Sequence, residues 1–150
     1  MPKKLFVLIL YAIAMALIES AVVIYLRELY YPAGFLIKSA SDLAVIPYNI
    51  IRLELWREVA TIIMLVAIGF LFANRLKLKI AGFVLAFSIW DLFYYFFLYV
   101  FLKWPSSLFT LDVYFLIPFP WVGPVWFPLM LFSALTIISL WFIIKSKNES

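Results

Sequence analysis

Four long apolar segments, separated by polar or proline-rich sequence, constrain this chain more than any other feature. They are residues 5–26, 57–74, 78–102 and 125–144. We predict that the second segment extends back to Tyr48 as a longer helix that follows Pro47. A helix needs about 20 mainly apolar residues to cross the hydrocarbon core of a bilayer. The sequence therefore predicts four membrane-spanning helices.

The composition points to the same solvent. Hydrophobic residues make up 68% of the chain and charged residues 13%, whereas soluble domains average about 45–50% apolar and about 25% charged residues. A soluble domain of this length still exposes about 30% of its chain surface to water, so it has too little interior for these side chains. We predict an all-α integral membrane bundle of four transmembrane helices, with residues 1–150 forming a single membrane domain.

Basic residues predict the orientation of the helices, because cytoplasmic loops carry an excess of Lys and Arg. Seven are expected on one side: Lys3, Lys4, Arg75, Lys77, Lys79, Lys145 and Lys147. Five are expected on the other side, and three of these are beside glutamates: Arg27, Lys38, Arg52, Arg57 and Lys103. Both termini are therefore predicted to be cytoplasmic, in a cell membrane that we expect to be the bacterial inner membrane.

The connection between the third and fourth segments is apolar and rich in proline and aromatic residues. Its sequence, WPSSLFTLDVYFLIPFPWVGPV, carries four of the eight prolines. Proline interrupts helices, and irregular backbone is not tolerated facing lipid hydrocarbon. We therefore expect this outer loop to lie at the interface or cap the bundle, with a short helix after Pro105. Thr110 and Asp112 are interpreted as turn or cap residues, and Trp104 as part of an aromatic belt.

Ionisable residues inside the predicted spans define a candidate polar site. Glu19 lies in the first span and Asp91 near the middle of the third. A charged side chain at mid-helix costs about 2.5–3.5 kcal/mol or more and usually faces the bundle interior. Residues three or four apart share a helix face, which adds further polar residues. The predicted site comprises Glu19, Arg27, Glu28, Glu54, Arg57, Glu58, Thr61, Asp91, Tyr94 and Tyr95.

Two interpretations of this site stay open. The Arg-Glu pairs at 27–28 and 57–58 are interpreted as a lock between helices, because ion pairs can specify how elements pack. Glu19 and Asp91 are either structural or functional, since a carboxyl inside a membrane is by default a functional-site hypothesis. A hydroxyl of Tyr94 or Tyr95 could satisfy Asp91.

The chain contains no Cys and no His. It therefore lacks the thiolate and imidazole groups that hold most structural zinc and haem, and the usual Cys or Ser–His nucleophiles. We expect no metal site and no cofactor, and we lean towards a protein that is not an enzyme. The net charge of +4 is assigned to cytoplasmic helix flanks rather than to nucleic-acid binding.

Four stretches together carry a resemblance to a known group of proteins. They are ESAVVIYLRELYYP, LELWREVAT, WDLFYYFFL and the proline-rich connection. In these stretches the chain resembles a family of small bacterial four-span membrane proteins whose activity is uncharacterised. The resemblance covers most of the chain, and it implies no particular reaction, substrate or cofactor.

Three functions are compatible with these features. The first is a non-catalytic membrane component: a subunit, an assembly factor or a binding protein that contacts lipid and works as a homo-oligomer or within a larger membrane complex. The second is a small oligomeric proton- or cation-coupled transporter or channel that uses Glu19 and Asp91. The third is an outer-leaflet enzyme acting on a lipid or quinone through carboxylate, Arg and Tyr chemistry.

Overall fold

The computed structural model of the protein describes residues 1–148. Within this range the chain forms four long helices. They are α1 (Pro2–Tyr30), α2 (Tyr48–Phe72), α3 (Leu76–Leu102) and α4 (Trp126–Asn148). Each is long and apolar enough to cross a membrane. The prediction of four helices of spanning length is confirmed, and the chain is compatible with a multi-pass membrane protein.

Helices α1 and α2 extend beyond the predicted apolar segments at their charged ends. Helix α1 continues past Leu26 to Tyr30, and α2 begins at Tyr48 immediately after Pro47. Proline fixes its own φ and lacks an N–H group, so it is well tolerated at the start of a helix. The additional turns place the charged residues on helix faces rather than in loops.

Helix α3 is the centre of the bundle. It packs against α1, α2 and α4, whereas α1 and α2 contact each other little. A buried apolar cluster that includes Leu8, Leu65 and Leu85 fills the space between the helices. Helices α2 and α3 approach closely at Gly69, where an added Cβ would lie 2.7 Å from the Cβ of Phe83. Small residues permit this kind of close contact between membrane helices.

Residues 103–125, between α3 and α4, contain a short antiparallel hairpin. Its strands are β1 (Leu111–Val113) and β2 (Val122–Pro124), and Asp112 lies opposite Gly123. The short helix expected after Pro105 is absent, because residues 106–109 form bends and a turn. There the hydroxyl of Ser107 accepts a hydrogen bond from the N–H of Phe109 at 3.2 Å, a local side-chain bond that competes with helix formation.

The two long connections, residues 31–47 and 103–125, meet at one end of the bundle. The indole N–H of Trp104 joins them by donating to the carbonyl of Phe35 at 3.2 Å. The first connection also contains a 3-10 turn, Ala40–Val45. We call this end of the bundle the loop end. The opposite end, which contains the start of α1 and the turn at residues 73–75, is called the terminal end.

Candidate functional site

A cavity of about 120 Å³ lies at the loop end, between α1, α2, α3 and the two long connections. Eight of the ten predicted site residues line it: Glu19, Arg27, Glu54, Arg57, Glu58, Asp91, Tyr94 and Tyr95. Thr61 lies beside it, with its hydroxyl 3.4 Å from Glu19. Glu28 is exposed and does not line the cavity. The structure therefore brings nine of the ten residues together and separates Glu28 from them.

Arg57 forms the ion-pair group between α1 and α2. Its Nη1 donates to Oε2 of Glu19 at 2.5 Å. Its Nε donates to both carboxylate oxygens of Glu54, at 2.9 and 3.1 Å, and its Nη2 also pairs with Glu54. Since α1 and α2 otherwise contact each other little, this group connects two walls of the cavity.

Arg27 is held by groups from both long connections. Its Nη2 donates to Oδ1 of Asp112 at 3.3 Å. The guanidinium also lies over two aromatic rings, 4.1 Å from the ring centre of Phe35 and 4.0 Å from that of Trp104. Such cation–π contacts contribute about 0.5–2 kcal/mol, more where water is excluded. Trp104 is therefore a packing partner of Arg27, and its assignment to an aromatic belt stays a prediction.

The predicted lock between the two Arg-Glu pairs is wrong in its partners. Arg27 pairs with Asp112, and Arg57 pairs with Glu19 and Glu54. Glu58 instead accepts backbone hydrogen bonds from Leu116 and Ile117, at 2.8 and 3.1 Å. These two bonds attach the irregular proline-rich backbone to α2 and satisfy N–H groups that lack a partner in regular structure.

Asp112 is a buried member of the site, so its interpretation as a turn or cap residue is wrong. Only 2% of the residue is exposed. The hydroxyl of Tyr95 donates to its Oδ2 at 2.9 Å, and Tyr95 is therefore the partner of Asp112 rather than of Asp91. Burial raises the pKa of the Asp112 carboxyl, while Arg27 and the Tyr95 hydroxyl act in the opposite direction.

Asp91 and its neighbour Trp90 are buried against the cavity, 9% and 6% exposed. Among the described residues, Oδ2 of Asp91 and Nε1 of Trp90 have no hydrogen-bond partner, and the same holds for Nε and Nη1 of Arg27. Asp91 precedes Leu102, the last residue of α3, by 11 positions, which is about 16 Å along a helix. Buried polar groups are nearly always partnered, so these atoms mark where the site lacks hydrogen-bond partners from the protein.

Sequence reasoning missed several residues that line the cavity. Both long connections contribute to its walls, through Tyr31 and Phe35 from the first and Asp112, Tyr114 and Phe115 from the second. One signal was present in the sequence, because Asp112 is the only acidic residue between Asp91 and Glu149. The aromatic residues carried no such signal, since they are common throughout this chain.

Tyr114 braces the hairpin beside the cavity. Its hydroxyl donates to the carbonyl of Pro124 at 2.5 Å, and burial raises its pKa to about 12. The ring occupies the space that a side chain on Gly123 would fill. Only glycine at position 123 lets the Tyr114 ring pack this closely. The ring holds β2 against Tyr114, the residue that follows β1.

The acidic residues do not form a metal centre in the described structure. In residues 1–148, no group of three or more side chains of the ligating types is arranged to hold a metal ion. Comparisons with models of protein families, with curated proteins and with solved structures find no match to this chain. The resemblance to small bacterial four-span proteins stays a prediction, and functional inference rests on the cavity.

Proposed function

We propose that this chain is a non-catalytic membrane protein that binds a small molecule in the cavity at its loop end. The observation that carries the proposal is the set of buried polar atoms without partners around that cavity, on Arg27, Trp90 and Asp91. Leaving such a group unbonded costs about 1–3 kcal/mol, and more for a charged group. A ligand that bonds these atoms recovers that free energy.

The other carboxyl groups that line the cavity are held by protein groups, which supports a structural role for them. Glu19 and Glu54 are held by Arg57, Asp112 by Arg27, and Glu58 by two backbone amides. A general acid or base must be within reach of a substrate and able to exchange its proton. These four carboxyl groups are already engaged by the protein, which favours a binding role over catalysis.

Native mass spectrometry of the full chain, released from nanodiscs, tests the proposal. We expect a bound small molecule on the wild type, reduced at least tenfold in Asp91→Asn, which keeps the shape of the side chain but removes its charge. Glu28→Gln is the matched control, because Glu28 is an exposed acid at the same end and should leave binding unchanged. The same spectra report whether the chain is a homo-oligomer or copurifies with another subunit.

Two results would contradict this binding role. One is a wild-type protein that carries no small molecule and is indistinguishable from Asp91→Asn in both mass and thermal stability. The other is an equal loss of the molecule in Asp91→Asn and Glu28→Gln, which would place the effect outside the cavity.

A second function, a small proton- or cation-coupled transporter, is favoured by one observation. Asp91 lacks a basic partner among the described residues, and unpaired carboxyl groups inside membranes serve in proton relays. Glu19, the other carboxyl of that hypothesis, is bound to Arg57, which argues against a free relay. Proton flux in proteoliposomes that disappears in Asp91→Asn would replace the binding role with transport.

The proposed orientation places both termini in the cytoplasm of a bacterial inner membrane and the loop end on the opposite side, with the proline-rich connection at the interface. One observation supports it. Two of the basic residues at the loop end, Arg27 and Arg57, are paired with carboxylates, so their positive charges are neutralised. Cytoplasmic segments carry the excess of basic residues, and Lys3 and Lys4 lie at the terminal end beside α2.

Cysteine labelling tests this orientation directly, because the chain has no cysteine of its own. Ser41→Cys probes the exposed first connection, and Asn74→Cys probes the exposed turn between α2 and α3. A membrane-impermeant maleimide should label Ser41→Cys in spheroplasts and Asn74→Cys only after lysis. The reverse pattern would invert the proposed orientation.

A further inference from the structure

The charges around the cavity are unequal in sign. Five carboxyl groups and two guanidinium groups line it: Glu19, Glu54, Glu58, Asp91 and Asp112 against Arg27 and Arg57. Full ionisation would leave three negative charges without a basic counterpart among the lining residues. In a medium of low polarity, burying such charges has a high free-energy cost unless they are paired.

Neither arginine is free to neutralise Asp91. Arg57 is shared between Glu19 and Glu54. Arg27 pairs with Asp112, and two aromatic rings cover its guanidinium. Neither Asp91 nor Glu58 is in an ion pair among the described residues. Glu58 accepts two backbone N–H groups, whereas Oδ2 of Asp91 is buried without a hydrogen bond. An unpaired buried carboxyl otherwise becomes neutral by binding a proton. A bound cation would take the place of that proton and pair with the ionised carboxylate.

The walls beside Asp91 are aromatic. Trp90, Tyr94, Tyr114 and Phe115 all line the cavity. Aromatic rings attract organic cations through their negative faces, and groups of rings recognise quaternary ammonium ligands in this way. The same rings would gain nothing electrostatically from a carboxylate or phosphate, so they reinforce the preference set by the uncompensated acids.

The size of the cavity limits the ligand. Its volume of about 120 Å³ is somewhat below the roughly 150 Å³ of an engineered cavity that accommodates benzene. A compact ammonium group with a few carbon atoms is of the right order. A bulky multi-ring cation would require the connections at the loop end to move.

We propose that the cavity binds a compact organic cation, a protonated amine or a quaternary ammonium group, with its charge against Asp91 and its carbon atoms against Trp90 and Tyr94. This inference rests on the binding role proposed above and names its ligand class. The same chemistry is present in a free amine and in the ammonium headgroup of a phospholipid.

Three probes with a shared isopropyl body test the sign of the charge: isopropylammonium, propan-2-ol and isobutyrate. Each is titrated calorimetrically into the full chain in dodecyl maltoside micelles, which contain no ammonium group. We expect isopropylammonium to bind at least tenfold more tightly than the other two. Asp91→Asn should weaken its binding at least tenfold, while Glu28→Gln should bind it like the wild type.

Two variants of Trp90 separate ligand binding from damage to the fold. Trp90→Phe keeps an aromatic wall and should retain the cation, whereas Trp90→Leu removes the ring and should weaken binding severalfold, as expected for the loss of a cation–π contact. Cation binding that is equal in Trp90→Leu and in the wild type would contradict the proposed placement.

The lipid in a nanodisc distinguishes the two sources of the ammonium group. If phosphatidylethanolamine is the natural ligand, isopropylammonium should bind more weakly in nanodiscs containing it than in nanodiscs of phosphatidylglycerol alone. Equal binding in the two assigns the cavity to a free amine. Either result supports the ligand class and identifies its source.

The titrations distinguish a wrong ligand class from a cavity that binds no small molecule. If isobutyrate or propan-2-ol binds as tightly as the cation and Asp91→Asn weakens that binding, the cavity is a binding site but the cation is wrong. If the cation binds equally to the wild type and to Asp91→Asn, the inference is also overturned. If no probe binds and no molecule copurifies, both the inference and the proposed binding role fail.

Discussion

The two ends of the bundle are held together by different kinds of side chain. The terminal end is packed by apolar and small side chains, and α2 and α3 approach closely where Gly69 meets Phe83 and Gly82 meets Phe72. The loop end contains the ion pairs of Arg27 and Arg57 and encloses a cavity. The same helices thus join close apolar packing at one end to a charged site at the other.

The two ends also differ in how their helices are held together. At the terminal end, small residues permit the close packing from which membrane helices gain stability. Where a cavity is kept open, its walls need other means of connection. At the loop end these are Arg57, which bridges α1 and α2, and Asp112, which bridges α1, α3 and the hairpin. The following predictions test that division, from the largest expected effect to the smallest.

Replacing Asp112 should produce the largest loss of stability. Asp112→Ala leaves the buried guanidinium of Arg27 without its carboxylate and removes the acceptor of the Tyr95 hydroxyl. Removing one partner of a buried ion pair costs about 3–5 kcal/mol. We expect a decrease of that size in the free energy of unfolding, measured by steric trapping in bicelles. Glu28→Ala, at an exposed acid of the same end, is the control and should cost less than about 1 kcal/mol.

Replacing Arg57 should have the next largest effect. Arg57→Met leaves Glu19 and Glu54 facing each other without a cation, and we expect a loss of about 3 kcal/mol in the same measurement. Arg52→Met, at an exposed arginine of the same helix, should be nearly neutral. Adding Glu19→Gln and Glu54→Gln to Arg57→Met should restore most of the stability, and a triple variant no more stable than Arg57→Met would show that charge is not the cause.

At the terminal end, a single methyl group should be enough to disturb the packing. In Gly69→Ala the new Cβ would lie 2.7–2.8 Å from the Cβ, Cα and N atoms of Phe83, so the helices must separate. Overpacking of this kind costs about 1–3 kcal/mol. Ala67→Val adds more volume at an exposed position of the same helix and should leave unfolding unchanged. An equal effect of the two variants would argue against the close contact.

The smallest predicted effect is a pH-dependent loss of the hydrogen bonds of Asp42, in the first connection at the loop end. The carboxylate of Asp42 accepts the backbone N–H groups of Lys38 and Ser39, at 2.7 and 3.1 Å, and these bonds lower its pKa below the ordinary value of 3.8. Because the folded pKa is lowered, this stabilisation is present above pH 3.8 and is lost as the pH falls through the folded pKa.

NMR can follow this change, through the amide resonances of Lys38 and Ser39. Both should shift together with a midpoint below pH 3.8, while the resonances of α3 remain in place. In Asp42→Asn the titration should disappear. A midpoint above 3.8 in the wild type would mean that the two amide bonds do not form in solution.

Helical periodicity was sufficient to assign most of the candidate site. Glu54, Arg57 and Glu58 share one face of α2 because residues three and four apart do so in any helix, and all three line the cavity. Glu19 on α1 and Asp91 on α3 were selected by a different rule, because ionisable residues inside a membrane span usually face the bundle interior. Glu28 was included as the sequence neighbour of Arg27, but it lies on a different face of the helix and is exposed.

Periodicity carried no information about the hairpin. Residues 103–125 lack a helical repeat, and their two strands are each three residues long, too short to be recognised by alternation. The burial of Asp112 depends on Arg27, which is 85 positions away in the chain. Nothing local to TLDVY distinguishes this aspartate from one in a solvated turn.

The sequence by itself determined the apolar character of this protein, the number of its long helices and the helix faces that carry charge, because hydropathy and helical spacing are local properties of a chain. Only the tertiary structure decided which charges meet, that Asp112 closes the site, and that Asp91 is left without a counter-charge. Those outcomes depend on the closure of two long connections over three helices, and the free energy of that packing is shared among residues far apart in sequence.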